Sequence, residues 1–252
     1  MPEAMLAARG VTRRFGGLVA VNDVSLDLHR GTLHAVIGTN GAGKSTLINI
    51  LSGELLASAG SVLMEGRDIT AWPQPQRARG GLGRSYQRST IFPTLSVYEN
   101  CRLAAQAGRQ RFWHWWRSAG SCPYSAGRAH YVLERTGLAG SAATPAGLLP
   151  HGHKRQLEIA MCLAGQPQVL LLDEPLAGMG PEETVRILTL LQSLKAEHAI
   201  LLVEHDMDAV FGNADIITVM VNGSAIACGT PAQIRANPQV QNAYLGDGPC
   251  MH

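Results

Sequence analysis

The stretch "AVIGTNGAGKSTLINI", Ala35 to Ile50, decides how the chain is read. It opens on an apolar run of strand character and closes on a helical pattern. Between the two, "GTNGAGKST" satisfies GxxxxGK[ST], the spacing of a loop that cradles phosphate groups. Its glycines let the backbone come close to an anion, and N–H groups from about Gly41 to Thr46, with the dipole of the following helix, face the charge. Gly38, Asn40, Gly41, Ala42, Gly43, Lys44, Ser45 and Thr46 are thus the candidate nucleotide-binding residues. Lys44 brings a point charge to the terminal phosphates, and the Ser45 hydroxyl can ligate Mg2+.

Upstream, "AARGVTRRFGGLVAVNDVSLDLHRGTLHAVIG" alternates apolar and polar residues around turn points at Gly16-Gly17 and Arg30-Gly31, which predicts successive short strands. Downstream, "KSTLINILSG" predicts a helix with Leu47, Ile50 and Leu51 on one face, ending at Gly53. From about Arg88 to Gly165 the texture turns helical and rich in Ala, Leu and Arg, which predicts an inserted helical subdomain. "PQVLLLDEP" and "HAILLVEH" are continuous apolar runs ending in charge, the pattern of parallel strands buried on both faces, with "PEETVRILTLLQSLKAEH" as the crossover helix. The tail reads as strand, Asn222-Gly223 turn, strand and a short helix. This divides the chain into a core in two parts, residues 1–87 and 166–252, around an insert at 88–165.

The chain's 252 residues, 46% of them hydrophobic, can fill a sizeable core, and a net charge of +2 spread over mixed signs says little about nucleic acid or membrane. No apolar stretch approaches the roughly 18 residues of a membrane span, and the N-terminus lacks an apolar signal core, so the chain is expected in the cytoplasm. Five widely spaced cysteines without a CxxC pair argue against a disulfide framework or a zinc site.

Five further positions carry chemistry. Asp173, at the end of "VLLLD", is placed to hold Mg2+ near the phosphate loop, and Glu174 can polarise a water for attack on the terminal phosphate. His205 ends the next parallel strand and borders the same crevice. Gln87, where the core passes into the insert, has an amide able to reach a metal-bound or attacking water. Phe15, in "RRFGG", can stack on adenine or, equally, fill core. The cluster "RQRFWHWWR", residues 109–117, with Trp113, Trp115 and Trp116, is either a patch that touches a membrane partner or the lipid headgroup layer, or the insert's small core; nucleic-acid stacking lacks a supporting basic surface.

Taken in order, Phe15, "GTNGAGKST", Gln87, "LPHGHKRQLEIA", "VLLLDEP" and His205 resemble the ATP-binding subunits of ABC transporters over nearly the whole chain. "RRFGGLVAVNDVSL", "GLGRSYQRSTIFPTLSVYEN" and "CGTPAQIRANPQVQNAYLG" are similar to the branched-chain amino-acid importers, with urea and amide importers and the lipopolysaccharide-export ATPase close by. The resemblance implies an α/β phosphate-loop NTPase (RecA-like) core with an antiparallel β region and an inserted helical subdomain. It implies ATP and Mg2+ as cofactors, with Ser45, Gln87 and Asp173 at the metal, Glu174 as catalytic base, and Lys44, Gln87 and His205 at the reacting phosphate. It further implies two transmembrane permease subunits, a second ATPase subunit, an indirect periplasmic binding protein, no nucleic acid, and a peripheral place on the cytoplasmic face of the inner membrane. A soluble ABC ATPase acting on DNA or ribosomes without a permease is one alternative class; a phosphate-loop kinase is another, against which the Asp173-Glu174 pair followed by His205 argues.

The signature motif departs from the family. Where it reads LSGGQ, this chain has Leu149, Pro150, His151, Gly152 and His153, and Gly180 stands where an aspartate or asparagine is common. Pro150 offers neither a serine hydroxyl nor an N–H, though it suits a helix start. By the resemblance these residues serve the ATP held by the partner subunit, so the expectation is an unequal pair of sites, with a heterodimer favoured over a homodimer.

Overall fold

The structure is a computed structural model; it describes residues 4–86, 90–107 and 122–245. Two sheets form the core. The first is antiparallel, in the order β2-β1-β4-β5, from β1 (Leu6–Phe15), β2 (Leu18–Leu28), β4 (Ala59–Met64) and β5 (Arg67–Asp68). The second runs β10-β9-β3-β8-β7-β6, from β3 (Leu33–Gly38), β6 (Leu82–Arg84), β7 (Val169–Asp173), β8 (Ala199–Val203), β9 (Ile216–Val221) and β10 (Ser224–Gly229). Its strands are parallel except β10, which returns from β9 through the Asn222-Gly223 turn, both residues at positive φ as a tight hairpin demands.

Helix α1 (Lys44–Ser52) lies between the two sheets. Leu47, Ile50 and Leu51 are buried as the periodicity predicts, but Ile48 is buried too, because sheets cover the helix from both sides. Each of these side chains contributes about 2 kcal/mol of burial, which holds the helix behind the phosphate loop in one place. Gly53 ends α1 at φ 79. Arg77, from α2 (Gln74–Arg79), then caps it: its guanidinium donates to the carbonyls of Ile50 and Leu51, each at 2.8 Å, and to those of Thr70 and Trp72. Burial pushes the Arg77 pKa down to about 10, so it stays charged at neutral pH and complements the negative end of the helix dipole.

Strands β7 and β8 are buried on both faces, as their continuous apolar runs predict. Leu171, Leu201 and Val203 face α1, while Leu170, Leu172, Ile200 and Leu202 face a second core. That core joins α6 (Pro181–Leu194) to α3 (Val97–Ala107), α4 (Pro123–Arg135) and α5 (His151–Ala164). Buried Asn100 ties down the chain entering α3, exchanging hydrogen bonds with Phe92 and donating to the Ser96 carbonyl. A third cluster covers β9 with α7 (Met207–Asn213), α8 (Pro231–Arg235) and α9 (Pro238–Leu245), two terminal helices where the sequence predicts one. Pro238 explains the break, since its ring cannot continue the helix before it. Among the described residues no helix is long and apolar enough to cross a membrane.

Candidate functional site: a phosphate loop and an acidic pair at the strand ends

Register places the candidate residues. Val36 of β3 and Asp173 of β7 both pair with Val203 of β8, so Gly38 and His205 each lie two residues beyond that row and Glu174 one beyond it. The carboxyl ends of the three strands therefore present the phosphate loop, the acidic pair and the histidine along one edge, where open α/β sheets bind ligands.

The loop depends on its glycines. Gly43 sits at φ 97, and a Cβ there would lie 2.3 Å from the Ala20 carbonyl oxygen; one on Gly38 would lie 2.2 Å from that of Met220. The β9–β10 turn braces the loop from outside, with the Gly223 N–H donating to Ala42 O at 3.1 Å and the Asn22 N–H to Gly223 O at 2.8 Å. Helix α1 starts on Gly43 without a side-chain cap, so its first amides and dipole are directed at the loop. The buried Lys44 ammonium folds back onto the carbonyls of Gly38 and Thr39 at 2.7 and 3.0 Å, which holds the cation inside the loop. Burial lowers its pKa, while Glu174 and Asp173 oppose that shift.

Asp173 is buried at the end of β7, and burial raises its carboxyl above the ordinary value despite the pull of Arg84 and Lys44. Glu174 takes a left-handed backbone, φ 47, fixed by its N–H donating to Val203 O at 2.9 Å and by Ala177 N–H donating to its carbonyl at 3.2 Å. A non-glycine residue there stores strain of about 1–3 kcal/mol, a cost that recurs where a side chain must be aimed. His205 is 59% exposed, its Nδ1 3.8 Å from Glu204 Oε2. Phe15, at the end of β1, is 43% exposed rather than core, and the Arg13 guanidinium lies 4.7 Å from its ring centroid. One ring face thus carries a cation, which suits the ring to stack a flat heteroaromatic on the other.

The candidate signature residues start α5. Leu149 is buried, Pro150 is the N-cap in an extended conformation, and His151, Gly152 and His153 form the first turn. The His151 ring donates Nε2–H to Ala177 O at 3.1 Å, and the Gly152 N–H donates to Glu183 Oε1 at 3.1 Å. Gln87 and residues 109–117, with the three tryptophans, lie outside the described residues.

Sequence reasoning passed over three residues here. Arg84, 6% exposed on β6, donates to Asn49, Ser52 and Glu54 and lies 3.7 Å from Asp173 Oδ2, tying the acidic strand to α1. Glu204 is fully buried; it accepts from the Leu176 N–H at 2.8 Å and the His205 N–H at 3.2 Å, and so ties together the loops that follow β7 and β8. Burial raises its carboxyl above the usual range, the two backbone donors opposing. Glu183, in the first turn of α6, is the third. An acid closing an apolar run signals Glu204 as it signals Asp173; nothing local signals Arg84 or Glu183, whose partners are distant in sequence.

A phosphate loop on a central parallel strand, an acidic pair two strands away and a helical layer whose helix α5 opens at Pro150 define an ATPase of the ATP-binding-cassette class. The chain belongs to the ABC transporter family, whose model matches residues 21–177, and residues 226–249 match the model described as "Branched-chain amino acid ATP-binding cassette transporter". It is 39% identical to the high-affinity branched-chain amino acid transport ATP-binding protein LivG of Escherichia coli (strain K12), over 98% of this chain and 100% of that one. It is 38% identical to BraF of Pseudomonas aeruginosa over the same shares. Among solved structures, a nucleotide-free ATP-binding cassette from an ABC transporter superposes with a TM-score of 0.86 at 29% identity, covering 97% of this chain and 100% of that one.

Proposed function

We propose that the chain binds and hydrolyses ATP to power an importer of branched-chain or other hydrophobic amino acids. The observation that carries the substrate reading is the C-terminal match at residues 226–249, supported by the LivG and BraF relatives aligned over their full length. As a transporter ATPase it works with transmembrane permeases. The finer reading is two permease subunits, a companion ATPase subunit, a periplasmic protein delivering substrate, and a seat on the cytoplasmic face of the inner membrane.

In this reading Phe15 stacks adenine, while the loop from Gly38 to Thr46 and Lys44 hold the phosphates. The Ser45 hydroxyl and the buried Asp173 carboxylate are hard oxygen donors that fit Mg2+, and a cation there would oppose the burial that raises the Asp173 pKa. Bound Mg2+ would neutralise charge on the β- and γ-phosphates. Glu174 accepts a proton from water as the water oxygen attacks the γ-phosphorus. The bond to the bridging oxygen breaks, and ADP and inorganic phosphate leave. His205 and Gln87 orient the water and the terminal phosphate.

Reconstitution with the permeases tests this. ATP-dependent uptake of labelled leucine, lost in Lys44→Ala, is expected; uptake of urea but not leucine would move the chain to the urea and amide importers.

A further inference from the structure

We propose that Glu183 sets how strongly this chain's signature helix takes the terminal phosphate of the partner's ATP. The inference rests on the reading that residues 149–153 serve the partner's nucleotide.

One carboxylate here answers two helix starts. Glu183 Oε1 accepts from the Gly152 N–H at 3.1 Å, in the first turn of α5, and Oε2 accepts from the Gly180 N–H at 3.4 Å, at the start of α6. Neither Pro150 nor Gly180 provides a side-chain cap, so the positive ends of both helix dipoles converge on this single anion. The fit is close: a Cβ on Gly152 would lie 2.5 Å from Oε1 and 2.7 Å from Cδ.

A phosphate arriving at α5 needs the same amide and the same partial charge that Glu183 already uses. Pro150 contributes neither a hydroxyl nor an N–H, so the first turn has few donors to offer, and one of them is committed to an internal carboxylate. The phosphate therefore gains that hydrogen bond only by displacing Glu183 against electrostatic repulsion. His151, anchored to Ala177 O at 3.1 Å, keeps the turn in place while the exchange occurs, so the contest is between two anions for one amide.

The test uses the transporter purified with its permeases and companion ATPase. A cysteine at Lys154 of this chain and one in the companion's phosphate loop report closure by cross-linking under ATP and EDTA. For Glu183→Gln, which keeps an acceptor but removes the charge, half-maximal cross-linking should need about tenfold less ATP, while the melting temperature falls because both helices lose a charged cap. A purely structural glutamate would worsen both. Glu183→Ala should move the ATP requirement the same way. An unchanged or higher ATP requirement with cross-linking intact would overturn the proposal. Absence of any cross-link in the parent at saturating ATP would overturn the reading of residues 149–153 and the proposal with it.

Discussion

Replacing Arg84 by methionine keeps most of the side chain's volume and removes its charge. The loss falls on Asn49, Ser52 and Asp173, since Glu54 is 46% exposed and water replaces its partner at little cost. Two hydrogen bonds from a charged donor are worth about 1.5–3 kcal/mol each. At 3.7 Å the attraction for Asp173 is about 4.5 kcal/mol at an effective dielectric near 20, largely offset by the desolvation of Arg84 itself. The expected net loss is about 3–5 kcal/mol, the usual range for breaking a buried pair from one side. Urea denaturation at neutral pH reads it directly. Burial already raises the Asp173 carboxyl, and without Arg84 it rises further. An acid whose folded pKa is raised destabilises the fold where it is ionised, so the deficit is full at neutral pH. It shrinks as pH falls from neutral toward the ordinary value of 3.8. A loss below about 1 kcal/mol, or one independent of pH, would refute the assignment of Arg84 as the tie between β7 and α1.

Other perturbations probe separate parts of the account. Pro150→Ser adds an N-cap worth about 1 kcal/mol to α5 and a hydroxyl donor for the partner's phosphate, so both the melting temperature and transporter ATP turnover should rise; equal turnover would sink the idea of a weakened signature. Phe15→Ala should weaken ATP binding by about 1–3 kcal/mol, with Phe15→Trp restoring it, as measured with a fluorescent ATP analogue. Buried His34, bonded to Asp27 O and the Thr218 hydroxyl, has its pKa lowered to about 4 by burial. The unfolded chain thus binds a proton from 6.5 downward that the folded chain refuses until about 4, and stability falls by about 2 kcal/mol between pH 7 and pH 5. His34→Gln should flatten that slope, and an unchanged slope would contradict the assignment.

Much of this architecture was legible because local patterns and global fold agree. The phosphate loop shows its glycines, β7 and β8 show apolar runs that only double burial explains, and Asn222-Gly223 shows its turn. What stayed hidden depends on contacts across the chain. Nothing near Gly223 says that its N–H braces Ala42, and nothing near Arg84 says that it reaches α1 and Asp173. The placement of candidate residues was legible where they close a strand, as Asp173 and Glu174 do at the end of β7. It was not where a side chain works through a neighbour, as Glu204 does for His205 and Glu183 for Gly152.

The central claim is that the loop and acids of this chain form the working hydrolytic site, while the site completed by its own signature is weak. Phosphate release by the assembled transporter carrying Glu174→Gln tests it most directly. Removing a general base costs about 10²–10⁴-fold, so nearly all turnover should vanish, because the remaining site cannot take over. Retention of half or more of the parent rate would contradict the account.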